Sequence, residues 1–257
     1  MTMIGEFETG YEERFDFPFR AAPPERPYVL ATVPRTGSSF VSHLLWRTGC
    51  LGAPLEYLNF LASGPPRFAI AEPEKQIELW RSILHLRTSP NGVFGVKCFS
   101  LQLRELQLRN PKLLLDAMHL LLFRGPATRV IRLRRRDRVA HAVSYARAAA
   151  SGIWRKEQES ADAPRVDYSD KAVDDARTFL DRQEADWDLL FTEIQVEPFT
   201  IWYEDFIERP DEAVRRVAAF LEVELDPSAA VPIYQVERQS QEDSRRWSEL
   251  YSARAKD

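Results

Sequence analysis

Residues 27–49 read PYVLATVPRTGSSFVSHLLWRTG, and this stretch decides the fold class. Tyr28 to Val33 is a short apolar, β-branched run of the length of a buried strand. Pro34-Arg35-Thr36-Gly37-Ser38-Ser39 is a turn of small and hydroxylated residues. Behind it Phe40, Val41, Leu44 and Leu45 recur at helical spacing, and Gly49 is placed to stop the helix. Strand, tight loop and helix form a layout in which backbone N–H groups and a helix N-terminus cradle an anionic oxygen cluster. Gly37 admits the anion close to the backbone, Thr36, Ser38 and Ser39 add hydroxyl donors, and Arg35 supplies positive charge. The loop departs from GxxxxGK[ST], in which a Lys serves the β- and γ-phosphates and a hydroxyl holds Mg²⁺. No Lys follows Gly37, and the cation precedes it. The expected ligand is a phosphate or sulfate rather than a magnesium triphosphate.

The rest of the composition narrows the class. A chain of 257 residues with 44% apolar content can build a large core. A net charge of −4 argues against a general nucleic-acid binder. Two cysteines, Cys50 and Cys98, make no disulfide framework and point to a reducing cytoplasm. The first residues, MTMIGEFETGYEERFDF, are acidic and lack an apolar signal core. The run Lys112–Phe123 is broken by Asp116 and His119 and falls short of the ~18 residues of a transmembrane span. His43, His85, His119 and His141 are scattered, and no HxxxH or CxxC spacing occurs, so no metal site is expected.

Beyond the first strand, loop and helix, residues 1–27 form an irregular lead-in, and 52–60 a loop running into a short helix. Pro73–Leu86 is an amphipathic helix, Val93–Phe99 a second strand and Pro111–Phe123 a helix. Thr128–Leu133 is a third strand, and Asp137 caps a helix from Arg138 to about Ser151. Residues 156–168 are polar and loop-like. Ser169–Gln195 is a long helix whose near-heptad stripe suits core packing better than a dimer seam. Phe199–Tyr203 is a fourth strand, and Pro210–Leu221 a helix with Pro in its first turn. Strands alternating with helices predict an α/β protein: one domain over residues 1–257, with a mainly parallel sheet between two helical layers.

A second basic constellation is RLRRRDRVAHAVS, residues 132–144. A strand delivers arginines to its C-terminal end, and the next helix presents Ser144 two turns in. Ligands of open α/β sheets bind outside the carboxyl ends of the strands, where the Arg35 loop also lies. Arginine with a hydroxyl suits a second phosphate.

Together these stretches resemble a known family. PRTGSS is similar to the 5′-phosphosulfate loop of sulfotransferases, and RRRDRVAHAVS to their 3′-phosphate segment. GAPLEY, PNGVFGVK, AVSYARAAASGIW and VERQSQEDSRRW resemble, in matching order from about Tyr28 to about Tyr251, the bacterial trehalose 2-sulfotransferase-like family. The resemblance implies a P-loop-like sulfotransferase fold and 3′-phosphoadenosine-5′-phosphosulfate (PAPS) as sulfuryl donor. It assigns Arg35, Thr36, Gly37, Ser38 and Ser39 to the 5′-phosphosulfate, and Ser144 with Arg135 or Arg136 to the 3′-phosphate. The spacing of cytosolic sulfotransferases selects Arg136, and that of the trehalose enzymes Arg135. Tyr203 is similar to an adenine-contacting tyrosine, and Arg238 to a nucleotide contact from a C-terminal segment (227–257) that closes over the nucleotide. The His that follows the second strand's Lys in many relatives is absent, since Lys97 precedes Cys98, Phe99 and Ser100. Glu56 in GAPLEY is then the implied general base, and Lys97 a bridge to the leaving oxygen. The implied acceptor is a hydroxyl of a small molecule, carbohydrate or glycolipid, and a homodimer is compatible. A small-molecule kinase and a non-catalytic nucleotide-binding module are the alternatives. The missing GK[ST] stands against the first, and intact Arg35, Glu56 and Lys97 against the second.

Overall fold

In the computed structural model the described residues are 9–60, 72–123, 128–159, 166–234, 236 and 242–254. Four strands form one sheet: β1 (Arg26–Thr32), β2 (Val93–Phe99), β3 (Arg129–Arg134) and β4 (Phe199–Trp202). Their order is β2-β1-β3-β4 and every pairing is parallel. Val29 lies opposite Val96, Leu30 opposite Ile131, and Leu133 opposite Ile201. From Pro27 to its end β1 is buried, as a central parallel strand covered on both faces must be.

The alternation of side chains along each strand sorts the core into two clusters. Val29 and Ala31 with Phe94, Val96, Cys98 and Val130 face one helical layer. That layer is α2 (Pro73–Leu86), α3 (Ser100–Arg109), α4 (Pro111–Ala117, continued by a π turn Met118–Leu122) and α6 (Asp170–Glu193). Tyr28, Leu30, Ile131, Leu133 and Ile201 face α1 (Ser38–Arg47), α7 (Tyr203–Glu208) and α8 (Pro210–Phe220). The stripe of α6 is spent on core: Val173, Ala176, Leu180, Trp187 and Phe191 are all buried. A third cluster joins α5 (Arg138–Ser151) to α6 and to α9 (Glu242–Arg254), around Ala142, Val143, Ala146, Val173, Ala176 and Trp247.

The first crossover from β1 goes to β2 on one side, whereas β3 lies on the other side of β1. The strand order therefore reverses at the β1/β3 pair, which is where a ligand crevice opens in an open parallel sheet. Three differences from expectation follow from long-range structure. Residues 52–60 hold no helix: Leu55 instead pairs in parallel with Val96 as an isolated bridge, and Lys97 N–H donates to its carbonyl at 2.9 Å. Tyr203 does not end a strand but begins α7. Helices α3 and α9 add to the elements expected from pattern. No described helix is long and apolar enough to cross a membrane.

Candidate active site

The loop after β1 is held in a tense conformation. Gly37, the N-cap of α1, has φ 88°, and Arg35 also has a positive φ, 65°. The left-handed region costs an L-residue other than glycine roughly 1–2 kcal/mol. Such strain persists where surrounding structure enforces it, and it concentrates at functional sites. Here Thr36 is fully buried and its hydroxyl donates to the Val33 carbonyl at 2.6 Å. That hydroxyl is thus committed to fixing the turn, and Thr36 offers an anion its N–H rather than its side chain. His141 of α5 clamps the loop from the other side, Nε2 donating to the Pro34 carbonyl at 2.8 Å. Burial, above all, holds His141 down to about 3, so it is a neutral donor at ordinary pH.

Gly37 is glycine for a second reason. A Cβ there would lie 2.3 Å from the Tyr203 ring. The ring covers the loop, and the Arg135 guanidinium lies over it, 5.3 Å from its centroid. Arg135 Nη1 also donates to the Arg35 carbonyl at 3.4 Å. Arg136 turns elsewhere: it pairs with Asp205 at 2.7 Å, lies over Trp202, and its N–H meets the Glu204 carboxylate. Of the two arginines left open by the motif, Arg135 faces the loop and Arg136 is bound to α7.

Arg35 bridges the β1 loop and α5. Its Nε donates to Ser144 Oγ at 3.2 Å and its Nη1 to the Trp154 carbonyl. Burial first, and then the charges of Arg135 and Arg147, hold its guanidinium down to about 10. Three arginines are thus gathered close enough to repel one another. A polyanion between them would relieve that repulsion. Arg147, one turn beyond Ser144, belongs to this cluster although sequence reasoning assigned it no role. It pairs with Asp243 of α9 at 3.2 Å. Arg238 lies outside the described residues.

Across the loop, Lys97 at the end of β2 connects two predicted site residues. Its Nζ lies 2.9 Å from Glu56 Oε1 and donates to Ser39 Oγ at 3.2 Å. Gly52, at φ 68°, lets the chain press against β2, where a Cβ would lie 2.9 Å from the Val93 carbonyl and the Gly95 nitrogen. The Leu55 bridge then delivers Glu56 to the C-terminal end of the sheet. Lys97 is 3% exposed and Glu56 17%, so the carboxylate alone keeps a path to solvent. Asn59 Nδ2 donates to Glu56 Oε2 at 3.2 Å. His43, one turn after Ser39, is held down to about 4, mainly by burial and further by the charges of Lys97 and Arg155.

Glu56, Lys97 and Ser39 therefore form one chain of contacts, and Arg35, Arg135, Ser144 and Tyr203 a second, on either side of the Gly37 turn. Sequence reasoning did not find His141, Arg147 or the Trp154 carbonyl. All three lie inside the quoted motifs RLRRRDRVAHAVS and AVSYARAAASGIW, but the motifs do not say which member turns toward the loop, and a backbone carbonyl leaves no trace in sequence.

The chain is 30% identical over 254 residues to the trehalose 2-sulfotransferase of Mycolicibacterium smegmatis, covering 87% of this chain and 93% of that protein. It is 30% identical over 263 residues to the Mycobacterium tuberculosis enzyme of the same name, covering 90% and 96%. Among solved structures, the sulfotransferase domain from the curacin biosynthetic pathway superposes with a TM-score of 0.51 at 16% identity, over 88% of this chain and 83% of that one, a likeness of fold. Residues 27–254 match the family model described as Stf0 sulphotransferase, and the chain belongs to that family of sulfotransferases.

Proposed function

We propose that this sulfotransferase moves the sulfuryl group of PAPS to a hydroxyl of a carbohydrate-like acceptor, with Glu56 as general base. The observation that carries the reading is the pair of contact chains meeting at the Gly37 turn. One side gathers Arg35, Arg135 and Arg147 as an anion cradle, and the other holds a carboxylate, a buried lysine and a hydroxyl. The loop N–H groups of Thr36, Gly37, Ser38 and Ser39, at the start of α1, bind the 5′-phosphosulfate with Arg35. Arg135 and Ser144 take the 3′-phosphate, and Tyr203 contacts the adenine. The mutual repulsion among the arginines fits them for a ligand with two phosphate positions.

In the transfer, the acceptor hydroxyl attacks sulfur in line with the bond to the 5′-phosphate oxygen. Glu56 takes the hydroxyl proton as the new O–S bond forms. The S–O bond to the 5′-phosphate breaks, and Lys97 and Arg35 stabilise the charge left on that oxygen. The nucleotide departs as 3′-phosphoadenosine 5′-phosphate. The relatives named trehalose 2-sulfotransferases favour a sugar acceptor. Residues 1–257 act as one domain, in which the 227–257 segment, with Arg238, closes over the nucleotide; contact of Arg147 with Asp243 supports this. Two free, buried cysteines suit the cytoplasm, and no metal is required.

The test is Glu56→Gln, assayed with radiolabelled PAPS against a panel of sugars that includes trehalose. Loss of a positioned base slows the chemical step roughly 10²–10⁴-fold, with donor affinity nearly unchanged. Wild-type turnover in this variant would remove Glu56 as the base.

A further inference from the structure

The lead-in before β1 is a built strap that ends on Glu56. Its anchor is Arg87, which is buried after α2. Arg87 Nε pairs with Asp16 at 2.8 Å, its Nη1 donates to the Gly10 carbonyl at 2.8 Å, and its Nη2 to the Glu12 carbonyl at 3.3 Å. The Glu12 carboxylate accepts the N–H groups of Thr9 and Gly10, each at 2.8 Å. A Cβ on Gly10 would lie 3.3 Å from the Trp46 ring and 3.5 Å from Leu55, so glycine lets the strap lie close to both. These contacts fix the base of Tyr11, whose ring meets Tyr57 edge-on at 6.4 Å. Its hydroxyl reaches the peptide groups of one residue: it accepts the Glu56 N–H at 3.2 Å and donates to the Glu56 carbonyl at 3.4 Å.

We propose that Tyr11 is a positioning residue for the general base, holding the backbone of Glu56 while Lys97 and Asn59 hold its carboxylate, a role that rests on the reading of Glu56 as the base. Glu56 needs such support. After the Leu55 bridge the chain leaves the sheet, and apart from Tyr11 the Glu56 peptide groups are held, among the described residues, by a single turn bond, the Asn59 N–H donating to the Glu56 carbonyl at 3.1 Å. A hydroxyl that both accepts and donates at one residue restrains that backbone from turning. Burial, and next the charge of Glu56, hold the Tyr11 phenol well above its usual range, so it remains a neutral donor.

The test is Tyr11→Phe, which keeps the ring and removes only the hydroxyl. It is measured beside Glu56→Gln, the double variant and Tyr28→Phe. Tyr28 is a fully buried tyrosine on the opposite sheet face whose hydroxyl donates to the Leu51 carbonyl at 2.9 Å. Small displacements of a catalytic group cost up to about 100-fold in rate. Tyr11→Phe is therefore expected to lower kcat about 10- to 100-fold with the KM for PAPS within about twofold, while Tyr28→Phe lowers Tm and leaves kcat unchanged. On the Glu56→Gln background the same change should cost less than about twofold, because residues acting as one unit are not additive. Wild-type kcat in Tyr11→Phe with Glu56→Gln inactive would overturn the positioning role and leave the base standing. An equal loss on both backgrounds would also overturn it. Wild-type turnover in Glu56→Gln would instead sink the base itself, and the role of Tyr11 with it.

Discussion

Replacing Lys97 with Met should expose how much of the site's stability rests on one ion pair. At 2.9 Å the gross attraction between Lys97 and Glu56 is about 6 kcal/mol for an effective dielectric of about 20. Most of that is offset by desolvation of a lysine that is 3% exposed. Taking away one partner of a buried pair costs about 3–5 kcal/mol, because the other charge is left uncompensated. Glu56 retains some access to water, so the low end, about 3 kcal/mol, applies to Lys97→Met. The methylene stem packs in the same place, which keeps a cavity penalty out of the figure. Urea denaturation of wild type, Lys97→Met, Glu56→Gln and the double variant closes a thermodynamic cycle. The double variant should be more stable than the sum of the single losses predicts, with a coupling of about 1–3 kcal/mol. A Lys97→Met protein within about 0.5 kcal/mol of wild type, or strictly additive losses, would refute the buried pair.

Other outcomes can be stated more briefly. 3′-Phosphoadenosine 5′-phosphate should bind tighter than adenosine 5′-phosphate by about 10- to 100-fold, from charge-assisted bonds to arginine. Calorimetry should find that margin lost in Arg135→Ala and kept in Arg136→Ala; the reverse would reassign the 3′-phosphate. Gly37→Ala, with φ 88° and the Tyr203 ring 2.3 Å from the new Cβ, should weaken nucleotide binding more than Gly152→Ala, whose Cβ meets nothing within 4 Å; equal affinities would deny the close approach. Because Arg35, Arg135 and Lys97 stand where a kinase uses Mg²⁺, EDTA should leave turnover intact, and a strict Mg²⁺ requirement would favour phosphoryl transfer. His43 and His141 are held down to about 4 and about 3, chiefly by burial. Stability is therefore full above the unfolded value of about 6.5 and falls between that value and the folded ones, by up to about 1.4 kcal/mol per pH unit each, because only the unfolded state takes up the proton in that window. Denaturation midpoints measured from pH 7 to 4 should show this slope, flattened in His141→Asn; a flat profile in wild type would contradict it.

How far the chain could be understood from sequence depended on the range of each interaction. Pro73–Leu86 and Val93–Phe99 were legible to the residue because their apolar period and flanking Pro or Gly are local signals. Helix α3 was not, since Leu101, Leu103, Leu106 and Leu108 mix the spacings of strand and helix. Helix α9 buries only Trp247 and so carries almost no amphipathic pattern. At the site, the loop after β1 was legible because strand, turn and helix are contiguous. The Lys97–Glu56 contact was not, because a single bridge at Leu55 joins residues distant in the chain. Arg135 and Arg136 are neighbours that only tertiary structure separates, one toward Tyr203 and the other toward Asp205. Tyr11 sits in an irregular segment whose order comes from Arg87, far along the chain.

The cluster that unites α5, α6 and α9 gives the molecule a temporal order of assembly. Every described strand of the sheet has been synthesised by Trp202, yet the helix that carries Ser144 and Arg147 still lacks one wall. That wall is Trp247, with Asp243 and Ser244 on Arg147 and Tyr251 on Asp174. A ribosome adding about 5–20 residues per second leaves a nascent chain with a finished sheet and an unpadded α5 for several seconds. During that interval the β1 loop can form while α5 across the crevice stays loose, so α5 takes its final packing only after α9 has been made.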